Sequence, residues 1–133
     1  KKRILFNPSE SIDFNGNTGP FIQYTHARIK SLLKKNNNEK SFKNIEISDK
    51  ERNLILHLND YSNIVLSSYK NLNPALVANY AYDLVKLYNS FYQSSSVLGN
   101  NEINSFRILL SKKVGEYIYK SMSLLGIDVP DRM

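Results

Sequence analysis

The residues that could perform catalysis are few in this sequence and are scattered along it. Two histidines, His26 and His57, occur without any cysteine, which excludes disulfides and leaves too few ligands for a zinc site. Residues 16–19 contain two glycines but lack the lysine and the spacing of a phosphate-binding loop. Neither a nucleophile elbow nor a His-x-x-x-His pair occurs. We therefore expect no catalytic residue and no metal site, and we expect His26 to be a hydrogen-bonded structural histidine.

One row of side chains has the chemistry of nucleic-acid binding. Phe21, Tyr24 and Arg28 follow one another at steps of three and four, a spacing that places them on one face of a helix. Tyr24 and the more distant Tyr92 lie off the apolar stripes of their segments, where a ring can stack on a base. Arg28, one turn beyond Tyr24, could hold a phosphate or a base edge from the same face.

Core packing is the competing explanation for each tyrosine taken singly. The sequence has nine tyrosines and no tryptophan, and most of the tyrosines recur at the spacing of an apolar helical face. Such residues bury the ring and usually keep the hydroxyl within reach of a hydrogen-bond partner. We expect core packing, with the hydroxyl at the surface, for Tyr80, Tyr88 and Tyr117.

The positive charge of the chain is concentrated near its start. The net charge is +6, and residues 1–35 hold seven basic residues against two acidic ones, which leaves +5 in that segment. Such a segment suggests a polyanionic partner, although a solvated basic surface that aids solubility has the same charge, so charge alone leaves both explanations open. No apolar run approaches the roughly 20 residues that span a membrane, so we expect no membrane partner.

Two long helices are predicted in the second half of the chain. The first runs to about residue 92, with Asn73 as its N-cap and Pro74 at its first position, where a missing N–H costs nothing. The second covers about residues 102–125, ends at Gly126 in a left-handed cap, and contains Gly115, which indicates close packing against a neighbour. Their inward positions are Leu76, Val77, Tyr80, Leu84, Leu87, Tyr88 and Phe91 in the first, and Ile103, Phe106, Leu110, Val114, Tyr117, Ile118 and Leu125 in the second.

Three further helices complete the pattern. Thr18 can cap a helix of about residues 20–35 that carries the aromatic and basic row. Ser48 and Glu51 form a capping box that opens a short helix, and residues 59–60 separate it from another short helix that ends near residue 70. Five helices with short connections predict an all-α helical bundle. The expected apolar side of the helix after the capping box comprises Leu54, Ile55 and Leu58.

The domain organisation predicted from these elements is simple. Residues 1–17 contain turn signals and are expected to be an irregular lead-in, and residues 18–133 are expected to form one helical domain. The chain opens at Lys1 without an initiator methionine, which suggests a piece of a longer protein.

Three stretches of the sequence together resemble the arginyl-tRNA synthetase family. Residues 16–33, GNTGPFIQYTHARIKSLL, look like the helix that leaves the family's catalytic domain. Residues 77–92, VANYAYDLVKLYNSFY, resemble the centre of its all-helical anticodon-binding domain, and residues 107–133 look like the end of that domain. The match spans essentially the whole chain in the right order, and its Gln-Tyr-x-His-Ala-Arg stretch combined with a Pro-x-Arg-Met terminus is quite specific.

The resemblance implies a tRNA-binding role within a larger enzyme. The whole enzyme would be cytoplasmic and mostly monomeric, and it would join arginine to its tRNA through an arginyl-adenylate, using ATP and Mg²⁺. The domain, which contacts the catalytic domain of the same chain, would hold the anticodon stem and loop and need no cofactor of its own. The implied anticodon contacts are Phe21, Tyr24, Arg28, Tyr92 and Met133, and the possible additional contacts are Phe91, Lys30 and Tyr82.

The sequence departs from the family pattern in several ways. Position 21 is often tyrosine in the family, and Phe21 keeps the stacking surface without the hydroxyl. The Asp-Ala-Leu-Arg motif that names the domain has only residues 82–84 as its nearest counterpart. The His-x-Gly-His and Lys-Met-Ser-Lys-type signatures are missing, so we expect no aminoacylation by this chain alone and weak, salt-dependent tRNA binding. The alternatives are a helical protein-interaction module whose tyrosine face meets a protein, or the equivalent domain of a cysteinyl or glycyl synthetase.

Overall fold

The computed structural model describes residues 7–13, 16–35 and 42–133, and within these ranges every regular element is an α-helix. The five predicted helices are present, so the all-α prediction is confirmed. A sixth, single-turn helix precedes them. The helices are α1 (Pro8–Ser11), α2 (Gly19–Lys34), α3 (Asp49–Asn59), α4 (Tyr61–Lys70), α5 (Ala75–Ser94) and α6 (Glu102–Leu124).

The single-turn helix α1 corrects the prediction of a wholly irregular lead-in. The pair Asn7 and Pro8 is one of the turn signals of residues 1–17, and here Asn7 Oδ1 accepts a hydrogen bond of 3.2 Å from the Ser9 N–H. Pro8 occupies the first helical position, where its missing N–H leaves nothing unsatisfied. The same residue pair therefore caps a short helix. The three basic residues at positions 1–3 lie outside the described residues.

Helix α5 is the centre of the bundle and contacts α2, α3, α4 and α6. It begins at Ala75, one residue after the predicted start, and the Asn73 side chain accepts a 3.2 Å hydrogen bond from the Ala75 N–H, as an N-cap does. Of the predicted inward residues, Leu76 and Leu87 are only partly buried. Its buried face comprises Val77, Tyr80, Ala81, Leu84, Val85, Tyr88 and Phe91.

Helix α6 packs against α2 and α5, and its two glycines have the predicted roles. A Cβ on Gly115 would lie 3.0 Å from Ile29 Cγ2, so the missing side chain allows α6 to approach α2 closely. Gly126 adopts φ +71°, and the Ile127 N–H bonds to the Met122 carbonyl at 3.0 Å, which together form a Schellman end. The chain then turns away from the helix and continues as a C-terminal tail, residues 126–133.

Helices α3 and α4 form the outer side of the bundle. The predicted capping box is present, because Ser48 Oγ accepts from the Glu51 N–H while Glu51 Oε2 accepts from the Ser48 N–H. Leu54 is fully buried, but Ile55 is 38% exposed, so its assignment to the apolar side was wrong. Ile55 is one residue, or about 100° of helical turn, beyond Leu54, and α3 is an outer helix with a narrow buried stripe.

The tyrosines at the centre of the bundle are buried more completely than predicted. Tyr80 is 3% exposed and Tyr88 is fully buried, so their hydroxyls do not reach the surface. Tyr88 Oη donates a 3.2 Å hydrogen bond to Ser111 Oγ, whereas Tyr80 Oη is buried without a hydrogen-bond partner among the described residues. Burial raises the pKa of Tyr88 to about 12 and also raises the pKa of Tyr80. Both side chains are therefore neutral components of the core.

Candidate nucleic-acid interface

One face of α2 forms a cleft with the end of the chain. The cleft has a volume of about 390 Å³. Tyr24 is 44% exposed and Met133 is 58% exposed, so an aromatic ring and a flexible thioether are both available to a ligand. The lining residues are Tyr24, Ala27, Arg28, Ser31, Arg132 and Met133.

Contacts with two residues of α5 hold the Arg28 side chain in place. Its guanidinium carbon lies 4.4 Å from the centre of the Tyr92 ring, within the range of a cation–π interaction. Arg28 Nη2 donates a 3.2 Å hydrogen bond to Asn89 Oδ1, and Asn89 Nδ2 donates in turn to Thr25 Oγ1 at 3.4 Å. These contacts fix a planar cation between α2 and α5, where it can present donors to a phosphate or a base.

A second aromatic patch lies one turn towards the start of α2. The centre of the Phe21 ring is 5.7 Å from that of Tyr82, and Lys86 Nζ is 5.4 Å from the centre of the same Tyr82 ring. Both rings are partly buried against the core. The patch therefore offers ring edges and one cation beside the cleft, while most of its aromatic surface supports the helices.

The C-terminal tail is attached to α2 by three polar contacts. Gln23 Nε2 donates to the Asp128 carbonyl at 2.7 Å, and His26 Nδ1 lies 3.2 Å from the Pro130 carbonyl. Because a carbonyl oxygen only accepts, Nδ1 carries the proton. Lys30 Nζ forms an ion pair of 3.4 Å with Asp131. The tail follows α2 until its last two residues reach the cleft.

His26 is a structural residue, as predicted. It is 1% exposed, and burial lowers its pKa below the ordinary value because a charged imidazole would lose its hydration. His57 is similar in kind, since its ring stacks on Tyr80 at 4.4 Å and its Nε2 lies 3.1 Å from the Tyr80 carbonyl. Both rings are therefore held against backbone carbonyl groups within the fold.

The structure brings four of the five principal predicted contacts together and separates two of the additional ones from them. Tyr24, Arg28 and Met133 line the cleft, and Arg28 covers the Tyr92 ring.

The two separated residues are Lys30 and Phe91. Lys30 lines a different cleft, between α2 and α6, and is paired with Asp131. Phe91 has no exposed surface, so its assignment as a direct contact was wrong: its position on α5 is turned fully into the core.

Two residues of the site were missed by sequence reasoning. Arg132 lines the cleft beside Met133, and its place next to a predicted contact was the available signal. Asn89, which orients Arg28, lies three residues before Tyr92 on α5, and that spacing places the two side chains on one face. Its role as a support for Arg28 could not be anticipated, because it depends on how α2 and α5 pack.

The part of the chain that the structure describes contains neither a metal-binding cluster nor a membrane-spanning helix. Residues 7–13, 16–35 and 42–133 contain no group of three or more His, Cys, Asp or Glu residues placed to hold a metal ion. Over the same ranges, the helices are all too short or too polar to traverse a lipid bilayer.

Comparisons with known proteins point in one direction. The sequence model of the family described as the DALR anticodon binding domain matches residues 22–133. The arginine–tRNA ligase of Flavobacterium psychrophilum is 52% identical over 136 residues, and that of Parabacteroides distasonis is 51% identical over 141 residues. Each match covers 100% of this chain but only 23% and 24% of the relative, so the chain spans about a quarter of their length.

Solved structures show the same similarity. An arginyl-tRNA synthetase of Thermus thermophilus superposes with a TM-score of 0.91 at 29% identity, covering 100% of this chain and 24% of that one. The synthetase of Plasmodium falciparum superposes with a TM-score of 0.83 at 30% identity, covering 96% of this chain and 23% of that one. In each case the chain matches a part of a much longer protein.

Proposed function

The chain belongs to the DALR anticodon-binding domain family, and from this premise we propose that it holds the anticodon stem and loop of arginine tRNA within an arginine–tRNA ligase. The observation that carries the proposal is the cleft on α2, where Tyr24, Arg28 and Met133 converge. The relatives that are 52% and 51% identical to the chain are named arginine–tRNA ligases. A specificity for cysteine or glycine finds no such support.

The chemistry of the cleft suits an unpaired RNA loop. A base whose faces are free of the helical stack can lie on the exposed Tyr24 ring, a contact worth about 1–3 kcal/mol. The Arg28 guanidinium can donate to a phosphate or to a base edge, and its contact with Tyr92 and Asn89 reduces the entropy lost on binding. The exposed Met133 thioether adds a flexible apolar surface against which a base can pack.

The remaining parts of the reaction belong to the rest of the parent enzyme in this proposal. We assign ATP and Mg²⁺ to that portion, because the nucleotide-binding signatures of the catalytic domain are missing from this sequence. The parent enzyme would act in the cytoplasm as a monomer, with this domain placed against its catalytic domain. The isolated chain is expected to bind tRNA without charging it.

The proposal is tested by binding of the chain to an anticodon hairpin of arginine tRNA across a salt series. A control hairpin differs only at the central anticodon base. Preference for the cognate hairpin, weakening with salt, is the expected result, since phosphate contacts release counterions. Equal binding to both hairpins would reduce the role to non-specific attraction by a basic surface. No binding even at low salt would favour a protein partner for the tyrosine face.

Two matched variants locate the binding site. Tyr24→Ala removes the exposed ring of the cleft and is expected to weaken cognate binding by about 1–3 kcal/mol, or roughly 5- to 150-fold. Tyr69→Ala removes a ring that is 76% exposed on α4, a helix that does not line the cleft, and should leave hairpin binding unchanged. Equal effects of the two substitutions would show that the RNA does not bind specifically at the α2 cleft.

A further inference from the structure

The Gln-Tyr-x-His-Ala-Arg stretch presents two rows of side chains on α2 that perform different tasks. Tyr24 and Arg28 face the cleft. Gln23 and His26, together with Lys30 one turn farther along, face the C-terminal tail. Because the second row makes its contacts with the tail, it touches the cleft only through the residues that the tail carries.

We propose that Gln23 and His26 are positioning residues that hold the C-terminal tail so that Arg132 and Met133 form one wall of the RNA-binding cleft. The RNA readout of this inference rests on the proposed function, whereas the placement of the tail can be measured without RNA. Neither residue lines the cleft, and their effect on binding passes through the tail.

The geometry makes these two contacts the main polar attachment of the tail. Gln23 donates a short but solvent-exposed hydrogen bond of 2.7 Å to the Asp128 carbonyl, whereas the His26 contact with the Pro130 carbonyl is made by a ring that is 1% exposed. A hydrogen bond shielded from water is stronger than an exposed one. The Lys30–Asp131 pair has side chains that are 41% and 61% exposed, and such surface pairs contribute little.

The tail has little else to hold its last residues. The Schellman end at Gly126 sets its starting direction, and Val129 packs partly against the core. Residues 130–133 are all exposed, and Pro130 donates no backbone hydrogen bond. Without the two α2 contacts, the end of the chain would sample many positions, and only a fraction of molecules would carry a complete cleft.

This fraction determines the expected change in affinity. If the RNA binds only molecules whose cleft is complete, its apparent dissociation constant equals the intrinsic constant divided by the fraction of such molecules. If the loss of one anchoring contact leaves the tail in place in about a tenth of the molecules, binding weakens by about tenfold. Gln23→Ala and His26→Leu are both expected to have an effect of this size, while His26→Asn, which retains a donor near the Nδ1 position, should recover part of it.

The decisive experiment combines these substitutions with removal of the tail end. Hairpin affinity is measured for Gln23→Ala and His26→Leu in the full chain and in a chain that stops after Asp131. Positioning through the tail predicts that the substitutions weaken binding in the full chain and have no effect in the shortened one. Equal losses in both chains would show a general structural role of α2 and overturn the proposal, as would unchanged affinity in the full chain.

Asn53→Ala is the matched control for Gln23→Ala, because it removes an exposed amide side chain from α3. It should leave the hairpin affinity unchanged.

Methyl NMR measures the placement of the tail without RNA. The sequence has two methionines, Met122, which is 1% exposed, and Met133, which is 58% exposed, so methionine labelling gives one core signal and one tail signal. In Gln23→Ala and His26→Leu the Met133 signal should sharpen and move towards its random-coil shift, while the Met122 signal reports that the core is intact. An unmoved Met133 signal would overturn the proposal. If the unaltered chain fails to bind the hairpin, the proposed function fails, and this measurement still decides whether the two residues position the tail.

Discussion

At the scale of single residues, the two buried tyrosines of α5 have the same chemistry and opposite surroundings. Tyr88 Oη donates to Ser111 Oγ, and Ser111 Oγ donates to the Arg107 carbonyl at 2.8 Å, so the hydroxyl belongs to a satisfied chain. Tyr80 Oη is buried with no such bond among the described residues. A buried polar group without a partner costs stability, whereas a paired one contributes about 1 kcal/mol.

The same substitution at these two positions is therefore expected to change stability in opposite directions. Tyr88→Phe should lower the free energy of unfolding by about 1 kcal/mol, because it leaves Ser111 without its donor. Tyr80→Phe should leave the free energy of unfolding unchanged or raise it by up to about 1 kcal/mol, since only an unpaired hydroxyl is removed. Urea unfolding of the two variants measures both values, and a clear loss in Tyr80→Phe would show that its hydroxyl has a partner in solution.

At the scale of elements, the contact between α2 and α6 depends on a missing side chain. Alanine at position 115 would favour the helix by about 1 kcal/mol over glycine. Its Cβ would nevertheless lie 3.0 Å from Ile29 Cγ2, and Ile29 is 1% exposed and branched at Cβ, so few χ1 rotamers allow its methyl group to shift away. Overpacking of this kind costs about 1–3 kcal/mol, which exceeds the gain in helix propensity.

Gly115→Ala is thus expected to destabilise the fold by about 1 kcal/mol net. The same change made together with Ile29→Ala has a different expectation, because the side chain that blocks the new methyl group is gone. In that background Gly115→Ala should stabilise the protein relative to Ile29→Ala alone. Chemical unfolding of the four proteins of this cycle gives the coupling, and an additive result would contradict the steric explanation.

A buried ion pair connects α3 to α6 and makes stability depend on pH. Glu51 has a fully buried side chain, and its Oε1 accepts a 2.6 Å bond from Arg107 Nε while Oε2 accepts from the Ser48 N–H. Burial alone would raise the pKa of Glu51, but the bonds from Ser48 and Arg107 outweigh burial and lower it below its ordinary value of 4.5. The folded protein therefore holds this carboxylate deprotonated more strongly than the unfolded chain does.

The sign of the pH effect follows from linkage. A carboxyl group with a lowered pKa in the folded state adds stability above its unfolded pKa, and this stability is lost as the pH falls through 4.5 towards the lower folded value. Glu51→Gln should reduce stability by about 2 kcal/mol at pH 7, because the hydrogen bond from the partly exposed Arg107 loses its charged acceptor, and it should weaken the decline in acid. Urea midpoints at neutral and acid pH measure both effects. Glu116→Gln, which breaks the exposed pair with Lys113, is the control and should leave the acid decline as in the unaltered chain.

At the scale of the whole molecule, the sequence predicted the helices more closely than it predicted which residues meet across them. Capping residues and apolar spacing are local signals, and they placed the start of α2 at Thr18 and the end of α6 at Gly126. Apolar spacing already placed Phe91 on the inward face of α5, and its burial confirms that placement. The support of Arg28 by Asn89 depends on how α2 and α5 pack, which spacing along one helix does not contain. The cleft itself required the tail to fold back over more than 100 residues to α2, as the Gln23–Asp128 bond shows.

The distribution of charge over the molecule allows a test of whether binding is local to the cleft. Arg132 lies in the cleft wall, and Lys70 is exposed at the end of α4. Substitution of either residue by alanine lowers the net charge of +6 by one, so a general attraction between the chain and RNA would weaken equally in both variants. If Arg132 neutralises a phosphate directly, Arg132→Ala should reduce the slope of log affinity against log salt by about 0.7–1, and Lys70→Ala should leave the slope unchanged. At physiological salt the Debye length is about 8 Å, so an exposed charge far from the RNA is largely screened and only a charge close to a phosphate affects the slope.

Hairpin titrations at four or more salt concentrations give the slopes. Equal slopes in the two variants would mean that Arg132 meets no phosphate and that the cleft acts through stacking and base contacts alone.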